Sequence, residues 1–210
     1  QNMKILLQGL VAAGKTDLIK AALNKLPVEV AVAVINNLPP ELKANILTGI
    51  DKTKAAEIFN SKDLQDPLGI TSAMAADEKN GGLKRLADLL QDKPGIKGDN
   101  IKNVFTTDGF GKALVKAYQD PVISKDVHKN LTAKLLAADS DYLKAGIKTL
   151  IVELDEADIT RIYDEVKSNP ENTMKLFGHL VNTNGTPTKE LVTLCTKLTG
   201  KKVLFEFART

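Results

Sequence analysis

Gly9-Leu10-Val11-Ala12-Ala13-Gly14-Lys15-Thr16 decides the fold, because these eight residues support two incompatible chain paths. They match the pattern G-x-x-x-x-G-K-[ST]. In that pattern the glycines let a loop wrap phosphate with its backbone N–H groups, the lysine reaches the outer phosphates, and the hydroxyl holds magnesium. On this path Gly9, Gly14, Lys15 and Thr16 are nucleotide-binding residues, 4–7 is the preceding strand and 17–25 the following helix. On the other path Met3, Leu6, Leu7, Leu10 and Val11 are the apolar face of a helix. Gly14 is then its left-handed C′ residue, and Thr16 caps a second helix with Asp17 in its first turn.

Moving outward, the first path needs a sheet. Segment 9–16 resembles the phosphate loop of small GTPases, particularly of the ADP-ribosylation-factor type. That resemblance implies a second strand over 28–35, an acid-ended strand over 150–156 and a D-x-x-G switch at Asp108-Gly109-Phe110-Gly111. The other strands of a doubly wound sheet should be short apolar runs alternating with helices, and the sequence lacks them. No N-K-x-D motif accompanies the loop, and the apolar residues around 150–154 keep helical spacing from Leu143 onward. Val28, Val30, Val32 and Val34 alternate as in a strand, yet Val30, Ala31, Val34, Ile35 and Leu38 also form a helical face. The second path, an all-α chain, is therefore preferred.

The rest of the chain reads as short helices separated by caps and breakers. Helices are expected over 41–50, 54–60, 82–90, 108–119, 124–137, 141–153 and 158–167. Asp51 and Asp155 or Asp158 serve as caps, and Pro170 opens a further helix after Asn169. Thr186-Pro187 opens the last one, which carries Leu191, Leu194, Cys195 and Leu198. The stretch 61–82 is looser, with a short helix near 72–77, and 91–100 is a loop. Residues 202–207, Lys-Val-Leu-Phe-Glu-Phe, are strand-like. About a dozen short helices result, in stacked hairpins forming a solenoid-like or irregular bundle, with no strict repeat period. One domain over 1–210 is expected, a subdivision being allowed near 61–82.

Leu38-Pro39-Pro40-Glu41-Leu42, Ile46-Leu47, Ile50-Asp51 and Ala55-Ala56-Glu57-Ile58-Phe59 together resemble the helical-hairpin unit of magnesium-transporter MgtE N-terminal domains and flagellar-motor FliG domains. The resemblance covers residues 38–59. It implies a superhelix of short helices serving as an interaction or regulatory module. The acidic residues of a magnesium-sensing surface are not carried over.

Composition narrows the function classes. The 210 residues are 43% hydrophobic and 26% charged, as in a globular protein. One cysteine, Cys195, excludes an internal disulfide framework, and the distant His128 and His179 make a histidine metal centre unexpected. Apolar runs such as 30–35 are too short to span a bilayer, so a soluble chain is expected, in a reducing compartment or secreted without disulfides. The net charge is only +3, and arginine occurs just three times, at Arg85, Arg161 and Arg209. Arginine is the preferred reader of phosphate and bases, so nucleic acid is an unexpected partner. The lysine excess suggests the AT-rich coding of host-associated bacteria.

Several residues could carry chemistry. Asp155, Glu156 and Asp158 form a carboxylate cluster, which an acidic helix start explains as well. His179 has no identifiable catalytic partner, and Cys195 sits on an apolar stripe as a buried structural thiol. Lys112, Lys116, Lys125, Lys129 and Lys134 could line two neighbouring helices as a basic strip. No catalytic or metal site and no cofactor is assigned. The expected function is a non-enzymatic scaffold that binds a protein partner, a bacterial effector or surface protein engaging a host protein being the expected setting. The alternative is a phosphate-loop nucleotide-binding protein using Gly9, Gly14, Lys15 and Thr16, and electrostatic binding to nucleic acid or membrane ranks third.

Overall fold

The computed structural model describes residues 2–77, 79–91 and 93–198, and the strand-like 202–207 lies outside them. The helices are α1 (Asn2–Ala12), α2 (Thr16–Lys25), α3 (Val28–Asn36), α4 (Pro40–Gly49), α5 (Lys52–Phe59), α6 (Pro67–Ala76) and α7 (Gly82–Gln91). A 3-10 turn (Gly98–Asn100) runs into α8 (Ile101–Val104), followed by α9 (Thr107–Tyr118), α10 (Lys125–Ala137), α11 (Ser140–Glu153), α12 (Glu156–Val166), α13 (Pro170–Gly178) and α14 (Lys189–Leu198). The described chain is all-α. Its β structure is an isolated antiparallel bridge between Val181 and Pro187.

Residues 9–16 follow the helical path. Gly9 lies inside α1, and Gly14, at φ +65°, is the left-handed residue that ends it. The Lys15 N–H donates to Leu10 O at 2.9 Å and the Gly14 N–H to Val11 O at 3.0 Å. This pair of bonds is a Schellman motif, with glycine where a Cβ would be strained. The expected cap moves by one residue. Lys15 takes the N-cap position without a side-chain cap bond, and Thr16 is the first residue of α2. The Lys15 carbonyl already accepts from Leu18 and Ile19, so the next helix begins before the threonine can cap it.

The alternating valines form α3, with Ala31, Val32, Val34 and Ile35 buried. β-branching costs a helix only a few tenths of a kcal/mol per residue (roughly), and burying one face outweighs that. Pro27, at φ −54° and ψ 150°, is the N-cap of α3, just after Leu26 leaves α2 in an extended conformation. The same corner recurs at Ile50-Asp51, Phe105-Thr106, Ala138-Asp139 and Leu154-Asp155, each an extended C-cap residue followed by an N-cap residue with ψ between 139° and 176°. At these four corners the first residue buries its side chain, and the second starts a new helix. Thr106 and Asp155 accept N–H groups from Gly109 and Asp158, whereas Asp51 and Asp139 make no side-chain cap bond. Leu26, Leu38 and Ile50 stand twelve residues apart, a local period that fades beyond α5.

Packing follows a second-neighbour rule. Helix α3 packs on α5, α5 on α7, α7 on α9 and α9 on α11, while α2 packs on α4, α4 on α6, α10 on α12 and α12 on α14. The two rows meet through α6–α7, α7–α10, α10–α11 and α11–α14, over one cluster of buried side chains reaching from Ile19 to Leu198. Cationic side chains close two helix C-termini. Arg85 donates to Thr48 O and Ile50 O, both at 2.9 Å, and Lys197 Nζ donates to Ile151 O and Leu154 O at 2.5 and 2.6 Å. Each places positive charge where a helix dipole is negative.

Two boundaries depart from the sequence reading. The looser 61–82 stretch holds the full helix α6, started by Asp66, whose carboxylate accepts the Gly69 N–H at 3.1 Å. Thr186-Pro187 does not open α14. It closes a tight turn in which Asn182 donates to Thr186 O at 2.8 Å, and the helix starts at Lys189 after Thr188.

Candidate functional site

The phosphate-loop residues come first, because their chemistry depends on free backbone donors. Here the Ala13, Gly14 and Lys15 N–H groups are consumed by Gly9, Val11 and Leu10 carbonyls. Lys15 is exposed, and Gly9 lies a full helix turn before the bend. Gly9 inside α1 and Gly14, Lys15 and Thr16 at the bend therefore do not form one continuous loop. The other parts of that reading are helical too: 28–35 lies in α3, Asp108 to Gly111 lies in the first turns of α9, and the acid-ended segment is the C-terminus of α11 and the start of α12.

The other sequence candidates are dispersed. Asp155 accepts the Asp158 N–H at 2.8 Å, and Asp158 pairs with Arg161 at 2.9 Å, so the carboxylates act as a helix start. Burial, with Asp155 adding to it against Arg161, pushes the Asp158 carboxyl up. His179 is the half-buried C-cap residue of α13. Cys195 is half-buried rather than fully buried, and burial raises its thiol. The five lysines do not form one strip. Lys112 pairs with Asp108 at 2.7 Å, Lys125 lines a pocket with carboxylates, and Lys134 is buried beside a different loop. Among the described residues no group of three His, Cys, Asp or Glu side chains is placed to hold a metal.

Among the described residues, two surface depressions with polar linings stand out. One, of ≈ 500 Å³, lies between the α9–α10 turn, α10 and α12, and is lined by Asp120, Ser124, Lys125, His128, Arg161, Asp164 and Glu165. His128 is 4% exposed, stands edge-on to Tyr118 at 4.9 Å, and its Nε2 is buried without a hydrogen-bond partner. Burial lowers its basicity; Glu165 opposes that and Arg161 adds to it. The flanking charges nearly balance, and Asp164 pairs with Lys167 at 2.7 Å. In the sequence His128 entered only as a histidine too far from His179 to share a metal; it stands on one helical stripe with Leu131 and Leu135, and nothing local marks the depression.

The sign of the His128 effect is definite. Its folded pKa lies below the usual 6.5, so the unfolded chain binds the proton more readily. Stability is therefore full above that value and falls as the pH drops below it. Thermal unfolding from pH 7.5 downward should show a falling Tm as the pH passes below about 6.5, with about 2–4 °C lost per kcal/mol. His128→Gln should flatten that part of the profile. An unchanged slope in the variant would assign the decline to other groups.

The second depression, of ≈ 390 Å³, lies between the 93–99 loop and α10, and combines Lys93, Lys97 and Lys134 with Asp99, Asn130 and small or apolar residues. It was invisible in the sequence, because the loop and α10 meet only in the fold. No protein-family model, curated protein or solved structure matches the chain, so function is read from its own geometry.

Proposed function

We propose that the chain is a non-enzymatic helical scaffold that binds a protein partner. The observation that carries this reading is the second-neighbour packing of short helices in two rows, α3 to α11 and the α2–α4–α6 and α10–α12–α14 runs. Stacks of this kind give repeated helix ends and inter-helix grooves, the extended surfaces that solenoid proteins use for partners. The resemblance of residues 38–59 to MgtE and FliG hairpins points the same way. Asp155 and Asp158 are engaged in a helix cap and an ion pair, which suits a structural role for these carboxylates. A bacterial effector or surface protein acting on a host protein is the setting that the lysine-rich composition favours. No helix among the described residues is long and apolar enough to cross a membrane.

The test is partner capture with covalent cross-linking, using the whole chain as bait in a host-cell lysate. Cross-links from one protein, concentrated on lysines of a single surface and competed by untagged chain, support the scaffold reading. Cross-links scattered over all surfaces, or none above a denatured control, would overturn it.

A further inference from the structure

We infer that His128 is an acid-operated side-chain switch: once protonated, its ring leaves its seat beside Tyr118 and turns into the depression between the α9–α10 turn, α10 and α12, where it pairs with the Glu165 carboxylate. The backbone of this residue is fixed. The His128 N–H donates to Ser124 O at 2.9 Å, and Ser124 caps α10 by accepting the Val127 N–H at 3.3 Å. Only the side chain is left to move, and it lines the ≈ 500 Å³ depression.

The neutral ring suits its present seat. It is 4% exposed and stands edge-on to Tyr118, with the ring centroids 4.9 Å apart. The Tyr118 hydroxyl is held by Thr132 Oγ1 at 2.9 Å, and among the described residues His128 Nε2 has no hydrogen-bond partner. A proton taken from water changes the balance. Both ring nitrogens then carry N–H groups, and a full charge is buried without an acceptor. The cost of that burial exceeds what an edge-on ring contact contributes.

The charges around the depression decide where the ring goes. Helix α12 supplies Arg161, Asp164 and Glu165, the α9–α10 turn supplies Asp120, and α10 itself supplies Lys125. The 3-10 turn, α7, α11 and α13 also pack on α10 but add no charged group to this lining. Arg161 is paired with Asp158 at 2.9 Å, and Asp164 with Lys167 at 2.7 Å. Asp120 accepts from the Val122 N–H at 2.9 Å and from Gln91 Nε2 at 3.4 Å. Glu165 is half-buried, and among the described residues it makes neither an ion pair nor a hydrogen bond. Its charge favours the protonated imidazole, whereas Arg161 opposes it. The carboxylate of Glu165 is thus the acceptor with capacity to spare. An outward ring joins α10 to α12 by a new ion pair and fills the depression, which is open while the ring is neutral. Burial lowers the basicity of the ring, so the change occurs below the usual 6.5.

The test is an NMR titration of the whole chain from pH 7.5 to about 5, following the His128 ring protons, which His128→Gln identifies by their loss. At the upper end, nuclear Overhauser contacts from this ring to the Tyr118 ring are expected. As the imidazole titrates they should disappear, and contacts to the Glu165 side chain should replace them. The backbone amides of α4, which packs on α2, α6 and α7, should keep their shifts, marking the event as local. Glu165→Gln keeps the shape of the side chain and removes its charge, so the midpoint should move to lower pH and the outward contacts should be lost. Far-UV spectra check that this variant is folded, and the native chain gives the primary result without it. Tyr118 contacts that persist on the protonated ring would overturn the switch. So would a loss of those contacts that coincides with shift changes throughout α4, since the proton would then unfold the chain instead of turning one side chain. An unmoved midpoint in folded Glu165→Gln would overturn the pairing with Glu165.

Discussion

Gly82→Ala is expected to destabilise the protein by about 3 kcal/mol or more, although it adds one methyl group. Gly82 is the first residue of α7 and lies against the last turn of α6. A Cβ there would sit 2.2 Å from the Met74 carbonyl oxygen, 2.8 Å from its carbon and 2.9 Å from its Cα. All three are backbone atoms, so no rotamer change relieves the overlap, and α6 and α7 must separate. That separation also pulls on α4, which packs on both helices, and on α9, which packs on α7. Gly178→Ala is the control: the residue is exposed at the end of α13, and its Cβ would meet nothing within 4 Å. It should leave stability unchanged or raise it by up to about 1 kcal/mol. Urea unfolding of both variants distinguishes a close backbone crossing from a general dependence on glycine, and equal effects would contradict the crossing.

Phe110→Ala should cost about 3–5 kcal/mol, by lost burial and by the cavity left behind. The ring is fully buried in α9 and meets Phe105 edge-on at 6.0 Å and Tyr142 edge-on at 6.2 Å. Phe105 is the buried residue of the corner between α8 and α9, and Tyr142 reaches it from α11 through an O–H to Phe105 O bond of 2.9 Å. One side chain thus ties a corner to two layers of helix. At about 2–4 °C per kcal/mol for a domain of this size, Tm should fall by roughly 6–20 °C. Phe110→Leu keeps most of the apolar area and should lose less. A loss below about 0.5 kcal/mol for the alanine variant would place Phe110 outside the core.

The helices were legible where local chemistry and burial agree. Asp155 and Asn169 announced their helix starts, and both side chains do accept the expected N–H groups. The valines of α3 carried two periods at once, and only burial against neighbouring helices selects the helical one. Helix α6 is longer than the short helix near 72–77 that the sequence suggests, because Pro-Leu-Gly-Ile-Thr-Ser-Ala-Met-Ala-Ala has no charged face to set against its apolar side, and Asp66 starts it from a left-handed backbone at φ 51°. Its buried Thr71 is satisfied by Val104 O at 2.6 Å, a partner no local pattern shows.

The candidate sites were less legible than the helices, for one reason. A motif such as G-x-x-x-x-G-K-T describes residues close in sequence, and the fold spends those residues on ending one helix and starting another. The grooves depend on residues brought together from afar. Lys134 reads as one more solvated lysine until the 93–99 loop is seen to cover it, and His128 reads as core until α12 brings Arg161 and Glu165 alongside.

Whether residues 9–16 are a bend between helices or a phosphate cradle is tested most directly by calorimetric titration with Mg-ATP and Mg-GTP, for the native chain beside Lys15→Ala. No saturable heat is expected from either nucleotide with either protein. Saturable micromolar binding by the native chain that disappears in Lys15→Ala would contradict the helical bend.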